Sequence, residues 1–206
     1  MTMRRLLVLT VCASLAACGS SPKTHYHALT AMRGQGERRT VAHPVQVAAV
    51  HIPPTLDRRQ IVLKRTGNSL TIASHDRWSA PLDLMTRRIL AQDLAARLPK
   101  DAVVLPDAPM PADAGQIVVT LTRFGPDGHG RAALAGSWAL TIGGSSKPTL
   151  RRAFELHRAL RAEGGDAVAA AMSRLLATLA GQMVSDLAQR SKTRTHKRKA
   201  GNHVPA

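Results

Sequence analysis

Residue types that could do chemistry are few in this chain, and their spacing assembles no catalytic group. His25 and His27 alternate, so on a strand they would share one face and could hold a metal ion weakly, but no second ligand pair stands at zinc-site spacing. The loop 143–149 contains Gly, Ser and Lys but lacks the G-x-x-x-x-G-K-[ST] spacing that cradles phosphates, and no G-x-S-x-G nucleophile motif occurs. The 13 Asp and Glu residues form no close pair outside loops and helix surfaces. The sequence therefore predicts a non-enzyme with no catalytic residues, no cofactor and no metal.

The two cysteines lie within the first 18 residues, at a place that suggests covalent modification. Two arginines precede the apolar run 6–17, which is shorter than the roughly 20 residues of a membrane-spanning helix. A charged start and a short apolar run are typical of a secretory signal. The run ends in LAAC, which resembles the bacterial lipobox, whose cysteine is lipidated and becomes the first mature residue. We expect residues 1–17 to be a lipoprotein signal peptide and Cys18 the lipidation site; an ordinary signal peptide is the alternative.

The residues after Cys18 predict where the anchored chain resides. Gly19 and Ser20 follow the cysteine, whereas bacterial lipoproteins kept in the inner membrane often carry Asp there. By that resemblance we expect the outer membrane, facing the periplasm, in a Gram-negative bacterium. Each buried methylene of the acyl chains contributes about 0.8 kcal/mol, so anchoring is effectively permanent. The linker within 18–25 reaches roughly 20 Å when extended, which keeps the folded part near the membrane.

The chain is strongly basic, with a formal net charge of +16. Residues 190–206 carry a cluster of Lys and Arg and no acid, and we expect this tail to be disordered. A basic balance favours anionic partners, and for an exported chain phospholipid headgroups or acidic proteins fit better than nucleic acid. A G+C-rich genome, which enriches Arg, is the alternative source of part of this charge.

Hydrophobic periodicity predicts about four strands, a helix, four strands and a helix. Strands are expected at 26–29, 45–52, 61–65, 69–73, 102–105, 116–124 and 132–142, with the segment 150–160 open between strand and helix. The first helix is expected at 83–98 and the second from Asp166, with one apolar stripe: Val168, Met172, Leu175, Leu176, Leu179, Met183 and Leu187. We expect one α+β domain over 26–189, a mostly antiparallel (mixed) sheet with both long helices packed on one face.

The order of these features is similar to that of a known family. The most specific stretch is residues 50–82, VHIPPTLDRRQIVLKRTGNSLTIASHDRWSAPL, and it is followed by Phe124, Trp138 and a C-terminal amphipathic helix. These residues resemble the PqiC/YmbA family of ABC-type transport auxiliary lipoproteins over roughly 24–189. The basic tail lies outside the likeness.

The resemblance implies an outer-membrane lipoprotein that works with an inner-membrane-anchored MCE-domain protein to move phospholipid or another lipid between membranes. Family members are accessory subunits that dock or cap a conduit, and a homo-oligomeric ring is compatible with the resemblance. Within the matched segment, Asp57, Arg58 and Arg59 are the candidate partner-docking residues, with a turn or an ion pair as the structural alternative.

Two other functions stay open at this point. The domain could itself carry lipid, with an acyl chain held between sheet and helices. It could instead be a structural or assembly lipoprotein for an outer-membrane pore, which predicts a β-barrel partner. The sequence does not choose among these by its residues alone.

Overall fold

The computed structural model describes residues 22–34, 38–145 and 147–200, apart from the side chains of 64–66 and 192–200. The expected signal peptide and Cys18 lie outside the described residues, as do the last six residues of the expected tail. The signal peptide, the lipidation of Cys18 and the disorder of those last six residues stay predictions.

The elements follow the order expected from periodicity. They are β1 (His25–His27), β2 (Val45–His51), β3 (Gln60–Thr66), β4 (Ser69–Trp78), α1 (Leu82–Ala95), β5 (Val103–Val104), β6 (Gly115–Pro126), β7 (Arg131–Ile142), β8 (Leu150–Ala159) and α2 (Gly165–Ala200). A short 3-10 helix, Pro54–Leu56, follows β2. The ambiguous segment at 150–160 is a strand, and the expected hairpin is β3–β4, with Gly67 in its turn at φ +55°.

The strands form two mixed sheets, whereas the sequence analysis expects one. The smaller has the order β1-β4-β3 and the larger β5-β2-β6-β7-β8. Three pairings between described strands are parallel (β1–β4, β2–β5 and β2–β6) and three are antiparallel, and the two longest, β6–β7 and β7–β8, are antiparallel. Both sheets are therefore mixed, and the expectation of a single sheet is wrong. The error has a physical cause: hairpins join neighbours in sequence, but β1–β4 and β2–β6 join distant segments whose pattern does not name their partner.

Both helices pack against the larger sheet. Helix α1 contacts β2 and β5, whereas α2 contacts α1 and strands of both sheets. The apolar stripe of α2 is core, because each of its seven side chains is at most 4% exposed. The segment Gly165–Ser191 is long and apolar enough to cross a membrane, yet 67% of an apolar 18-residue window within it is buried inside the domain, as in a core helix.

Helix α2 continues into the segment where the sequence analysis expects a disordered tail. Its backbone stays helical to Ala200. An existing helix extends without a new nucleation cost, and Lys and Arg are good helix formers. The backbone N–H of Ala42 donates to Ser191 Oγ at 2.9 Å, so the domain holds the chain slightly beyond residue 189.

At one position in the larger sheet the backbones of two strands approach so closely that a side chain would not fit between them. Gly136 on β7 faces β6 next to a register shift between Leu121 and Arg123. A Cβ on Gly136 would lie 2.2 Å from the carbonyl oxygen of Thr120, so only glycine fits. Trp138, two residues on, is 2% exposed and lies in the same core as Trp78.

Candidate functional site

The predicted docking residues lie on an exposed loop between β2 and β3. Strand β2 ends at His51, and the prolines that follow begin the 3-10 turn. The N–H of Asp57 donates to the Pro54 carbonyl at 3.2 Å and that of Arg58 to the Leu56 carbonyl at 2.8 Å, which confirms the turn.

The side chains of Asp57, Arg58 and Arg59 are exposed, and none of them bonds or pairs with a described residue. The alternative ion pair is therefore not formed among the described residues. The carbonyl of Arg59 accepts the N–H of Trp78 at 2.7 Å, which ties the loop to a buried residue at the end of β4. The two guanidinium groups thus stand on a fixed backbone and are available to an anionic surface; the docking role stays a prediction.

A cavity of about 410 Å³ opens beside this loop, between the β3–β4 hairpin and β6. Its apolar wall includes Leu56, Val62, Leu70 and Phe124, and Arg123 lies at its polar side. A cleft of this size is within the range that accepts small ligands or a partner side chain.

A second cavity, of about 770 Å³, lies on the other side of the hairpin. Leu63 lines this second cavity, whereas the preceding residue, Val62, lines the first. The two residues line different cavities because successive strand residues point to opposite faces of the hairpin. Leu160 and Val168 contribute aliphatic surface, and Arg131 and Arg161 contribute charge. The hairpin is therefore flanked by two open cavities that the sequence analysis did not predict.

A network of ion pairs covers the outer face of β6, β7 and β8. Glu155 Oε1 lies 2.6 Å from Arg123 Nη2 and 3.1 Å from His157 Nε2, and these partners lower the pKa of that carboxyl. Burial alone would raise the pKa of Asp127, but the His129 N–H and the Arg131 guanidinium hold it below its ordinary value. Carboxylates kept ionised in this way stabilise neighbouring strands and are poor proton donors at neutral pH.

His27 is a buried structural clamp rather than half of a metal pair. Its Nε2 lies 2.8 Å from Asp76 Oδ1 and its Nδ1 2.9 Å from Asp166 Oδ1, so it joins β1, β4 and the start of α2. His25 is exposed, and the described residues contain no group of three His, Cys, Asp or Glu that could hold a metal ion.

Asp93 forms a second clamp that the sequence analysis missed. It is fully buried on α1, where Oδ1 accepts the Met32 N–H at 2.7 Å and lies 3.6 Å from Arg97 Nη1. Burial raises its pKa to about 6, although the Met32 N–H and Arg97 act in the opposite direction. In the sequence it is one acid on an amphipathic helix, and nothing marks its partner 61 residues away.

Two mixed sheets joined by one long core helix define an α+β class that solved structures share. A crystal structure of an uncharacterised protein matches with a TM-score of 0.62 and 24% identity, covering 82% of this chain and 99% of that one. A crystal structure of a Xanthomonas campestris protein of the DUF330 family matches with a TM-score of 0.64 and 14% identity, covering 86% and 99%. These likenesses concern the fold.

The family follows from a match of the sequence itself. The family model described as "ABC-type transport auxiliary lipoprotein component" matches residues 27–184, and the chain belongs to this family. The resemblance seen in residues 50–82 is thereby confirmed. A comparison with curated proteins gives no match.

Proposed function

We propose that the chain is an outer-membrane lipoprotein that faces the periplasm and docks an MCE-domain protein of an intermembrane lipid transport system. The family supplies the transport and lipoprotein parts of this proposal. In it Cys18 carries the anchor, and the protein acts by binding, without catalysis. A ring of several copies around a conduit is compatible with the role.

The observation that carries the docking role is the exposed loop of Asp57, Arg58 and Arg59. Two guanidinium groups without a partner among the described residues stand on a rigid turn beside an open cavity of about 410 Å³. Guanidinium groups bind carboxylates and phosphates bidentately, so this loop suits an acidic protein surface.

The test is affinity purification from envelopes in mild detergent, with bound proteins and lipids identified by mass spectrometry. We expect an MCE-domain protein with the native chain, less of it with Cys18→Ala, and less with the double variant Arg58→Glu and Arg59→Glu. Arg38→Glu, which alters another exposed arginine, is the control and should behave as the native chain. Recovery of a β-barrel protein alone would support the assembly role and contradict this proposal.

A lipid-carrier role is the second candidate, favoured by the cavity of about 770 Å³ with its aliphatic residues. The space next to Leu140 and Leu187, between the larger sheet and α2, is a cavity of only about 20 Å³, which holds about one water molecule. An acyl chain would therefore lie beside the hairpin. This role predicts phospholipid in a saturable ratio with Cys18→Ala protein, and its loss in Leu63→Arg.

The basic C-terminal segment offers a separate test of membrane contact. Each Lys or Arg near an anionic membrane contributes about 1 kcal/mol. Truncation after Ser191 keeps the bond from Ala42 and removes the cluster that follows. We expect weaker binding to anionic liposomes at low salt, and unchanged binding would remove the segment from the proposal.

A further inference from the structure

The outer edge of β8 is the longest open strand edge in the described part of the chain. At the opposite edge of the same sheet β5 has 2 residues, and in the smaller sheet β1 has 3. The remaining edge strand, β3, has 7 residues and two register irregularities, a feature that makes an edge less able to pair. By contrast, β8 has 10 residues, and its register with β7 is unbroken from Leu150 to Ala159.

The register shows which backbone groups of β8 point outward. Just beyond the strand the N–H of Leu160 donates to the Gly130 carbonyl at 2.9 Å, in line with the register of β7 and β8. In an antiparallel ladder alternate residues bond the neighbouring strand. Even-numbered residues therefore bond β7, and the N–H and C=O groups of 151, 153, 155, 157 and 159 face away from the sheet.

The strand is held in place, so this edge is preformed. Leu150, Phe154 and Leu156 are half-buried and pack against the core. Arg123 and His157 fix Glu155 on the opposite face. A partner strand would thus meet an ordered row of donors and acceptors with little ordering cost on this side. One acceptor of this row, the Arg151 carbonyl, already accepts from Arg152 Nη1 at 3.2 Å, so a partner strand would have to displace that side chain.

The charged side chains of β8 disfavour pairing of this strand with the β8 strand of a second copy of the chain. Arg151, Arg152 and Arg158 are exposed, and Glu155 is the single acid of the strand. Symmetric antiparallel pairing of two β8 strands centred on Glu155 would place each Arg152 opposite Arg158 and Glu155 opposite itself. Like charges directly opposite one another destabilise a strand pair, whereas opposite charges stabilise it.

We propose that the β8 edge is a docking site for an acidic, extended segment of a partner protein, which adds to the larger sheet as a sixth strand. Main-chain hydrogen bonds at the five outward positions supply affinity, and the exposed arginines select an acidic segment. This site is separate in sequence from the loop of residues 57–59; it rests on the proposed function only in assuming a protein partner.

The test uses the native protein and an acidic peptide of alternating Glu and Thr, as long as β8. Amide hydrogen exchange is followed by NMR with and without the peptide. We expect exchange at 151, 153, 155, 157 and 159 to slow by about tenfold or more, while the even-numbered amides, already bonded to β7, change little. The matched peptide of alternating Lys and Thr should give no protection.

Two variants and one control separate the backbone contribution from the charge. Ala153→Pro removes one outward N–H without touching the bonds to β7, and Arg158→Glu reverses one charge; each should weaken peptide binding about five- to tenfold. Arg38→Glu should leave binding unchanged. If Ala153→Pro fails to fold, the binding of Arg158→Glu and the exchange pattern of the native protein still test the proposal.

Several outcomes would overturn the proposal. They are no added protection with the acidic peptide, protection at other residues, equal binding of both peptides, or the same protection pattern from phosphatidylglycerol vesicles alone. Because these measurements use a peptide and purified protein, such a failure would leave the envelope purification result, and the transport role it tests, unaffected.

Discussion

The pH dependence of stability should contain a contribution from one buried carboxyl, that of Asp93. Burial raises its pKa from the ordinary 3.8 to about 6. Well below the ordinary pKa of 3.8 the carboxyl is protonated whether the chain is folded or unfolded. As the pH rises, the unfolded chain loses this proton first, so the stability that the protonated group contributes declines and is lost once the folded carboxyl ionises near pH 6.

The size of this effect follows from the shift. A rise of the pKa from 3.8 to about 6 corresponds to about 3 kcal/mol of unfolding free energy, at about 1.36 kcal/mol for each pH unit. That is a large share of a typical total of about 5–15 kcal/mol. With a urea dependence of about 2–3 kcal/mol per molar, the denaturation midpoint should move by about 1–1.5 M.

The assay compares urea unfolding of the native chain and Asp93→Asn at about pH 4 and about pH 7.5. Asn keeps an oxygen that accepts the Met32 N–H, so the clamp is retained while the titration is removed. Relative to Asp93→Asn, the native chain should lose about 2.5 kcal/mol between the two pH values, because at about pH 4 the unfolded chain has already lost part of this proton. The difference between variants isolates this group from the carboxyls of Asp127 and Glu155, whose lowered pKa values act in the opposite direction.

A control on the same helix guards against a general effect of substitution. Gln92 is exposed beside Asp93, and Gln92→Ala removes no titratable group. Its unfolding free energy should therefore change with pH in parallel with that of the native chain. If the native chain and Asp93→Asn instead differ by a constant amount, to within about 0.5 kcal/mol, the assignment of a raised pKa to Asp93 is wrong.

Other substitutions test the close approaches and clamps by thermal or urea unfolding. Gly136→Ala should lose about 3 kcal/mol, since its methyl group would meet the backbone of β6, whereas Gly130→Ala, with open space around it and φ +72°, should lose about 1–2 kcal/mol; equal losses would contradict the close approach. His27→Ala should lose about 3 kcal/mol by leaving a carboxylate without its buried partner, and Asp166→Ala, an exposed acid in the first turn of α2, only about 1 kcal/mol. Leu176→Ala, fully buried, should lose about 3–4 kcal/mol, and a smaller loss would place α2 outside the core.

The sequence was sufficient to predict those elements that a local pattern of residues determines. The apolar stripe of α2, spaced at the helical period, identifies both the helix and its buried face, and the signal Thr66-Gly67-Asn68 identifies the β3–β4 hairpin. Both follow from interactions between near neighbours along the chain. The order of four strands, a helix, four strands and a helix could therefore be written down in advance.

Pairing between distant segments could not be predicted in the same way. The periodicity of β2 shows a strand but not that it inserts between β5 and β6, and the three residues of β1 give no sign of their parallel partner. The same limit applies to the polar clamps. Asp76 and Asp166 become partners of His27 only after two sheets and a helix have met.

These clamps bear on how a tethered domain withstands a pull from the membrane. If Cys18 carries the anchor, as proposed, any force enters the fold through β1. There His27 is bonded to β4 and α2, the Thr30 N–H donates to Ser173 Oγ on α2 at 3.0 Å, and the Met32 N–H donates to Asp93 on α1. The chain directly after the linker is thus fastened to both helices and to the smaller sheet within eight residues. A domain held this way keeps the loop of residues 57–59 and the β8 edge at a fixed orientation to β1, the described strand nearest to the proposed anchor.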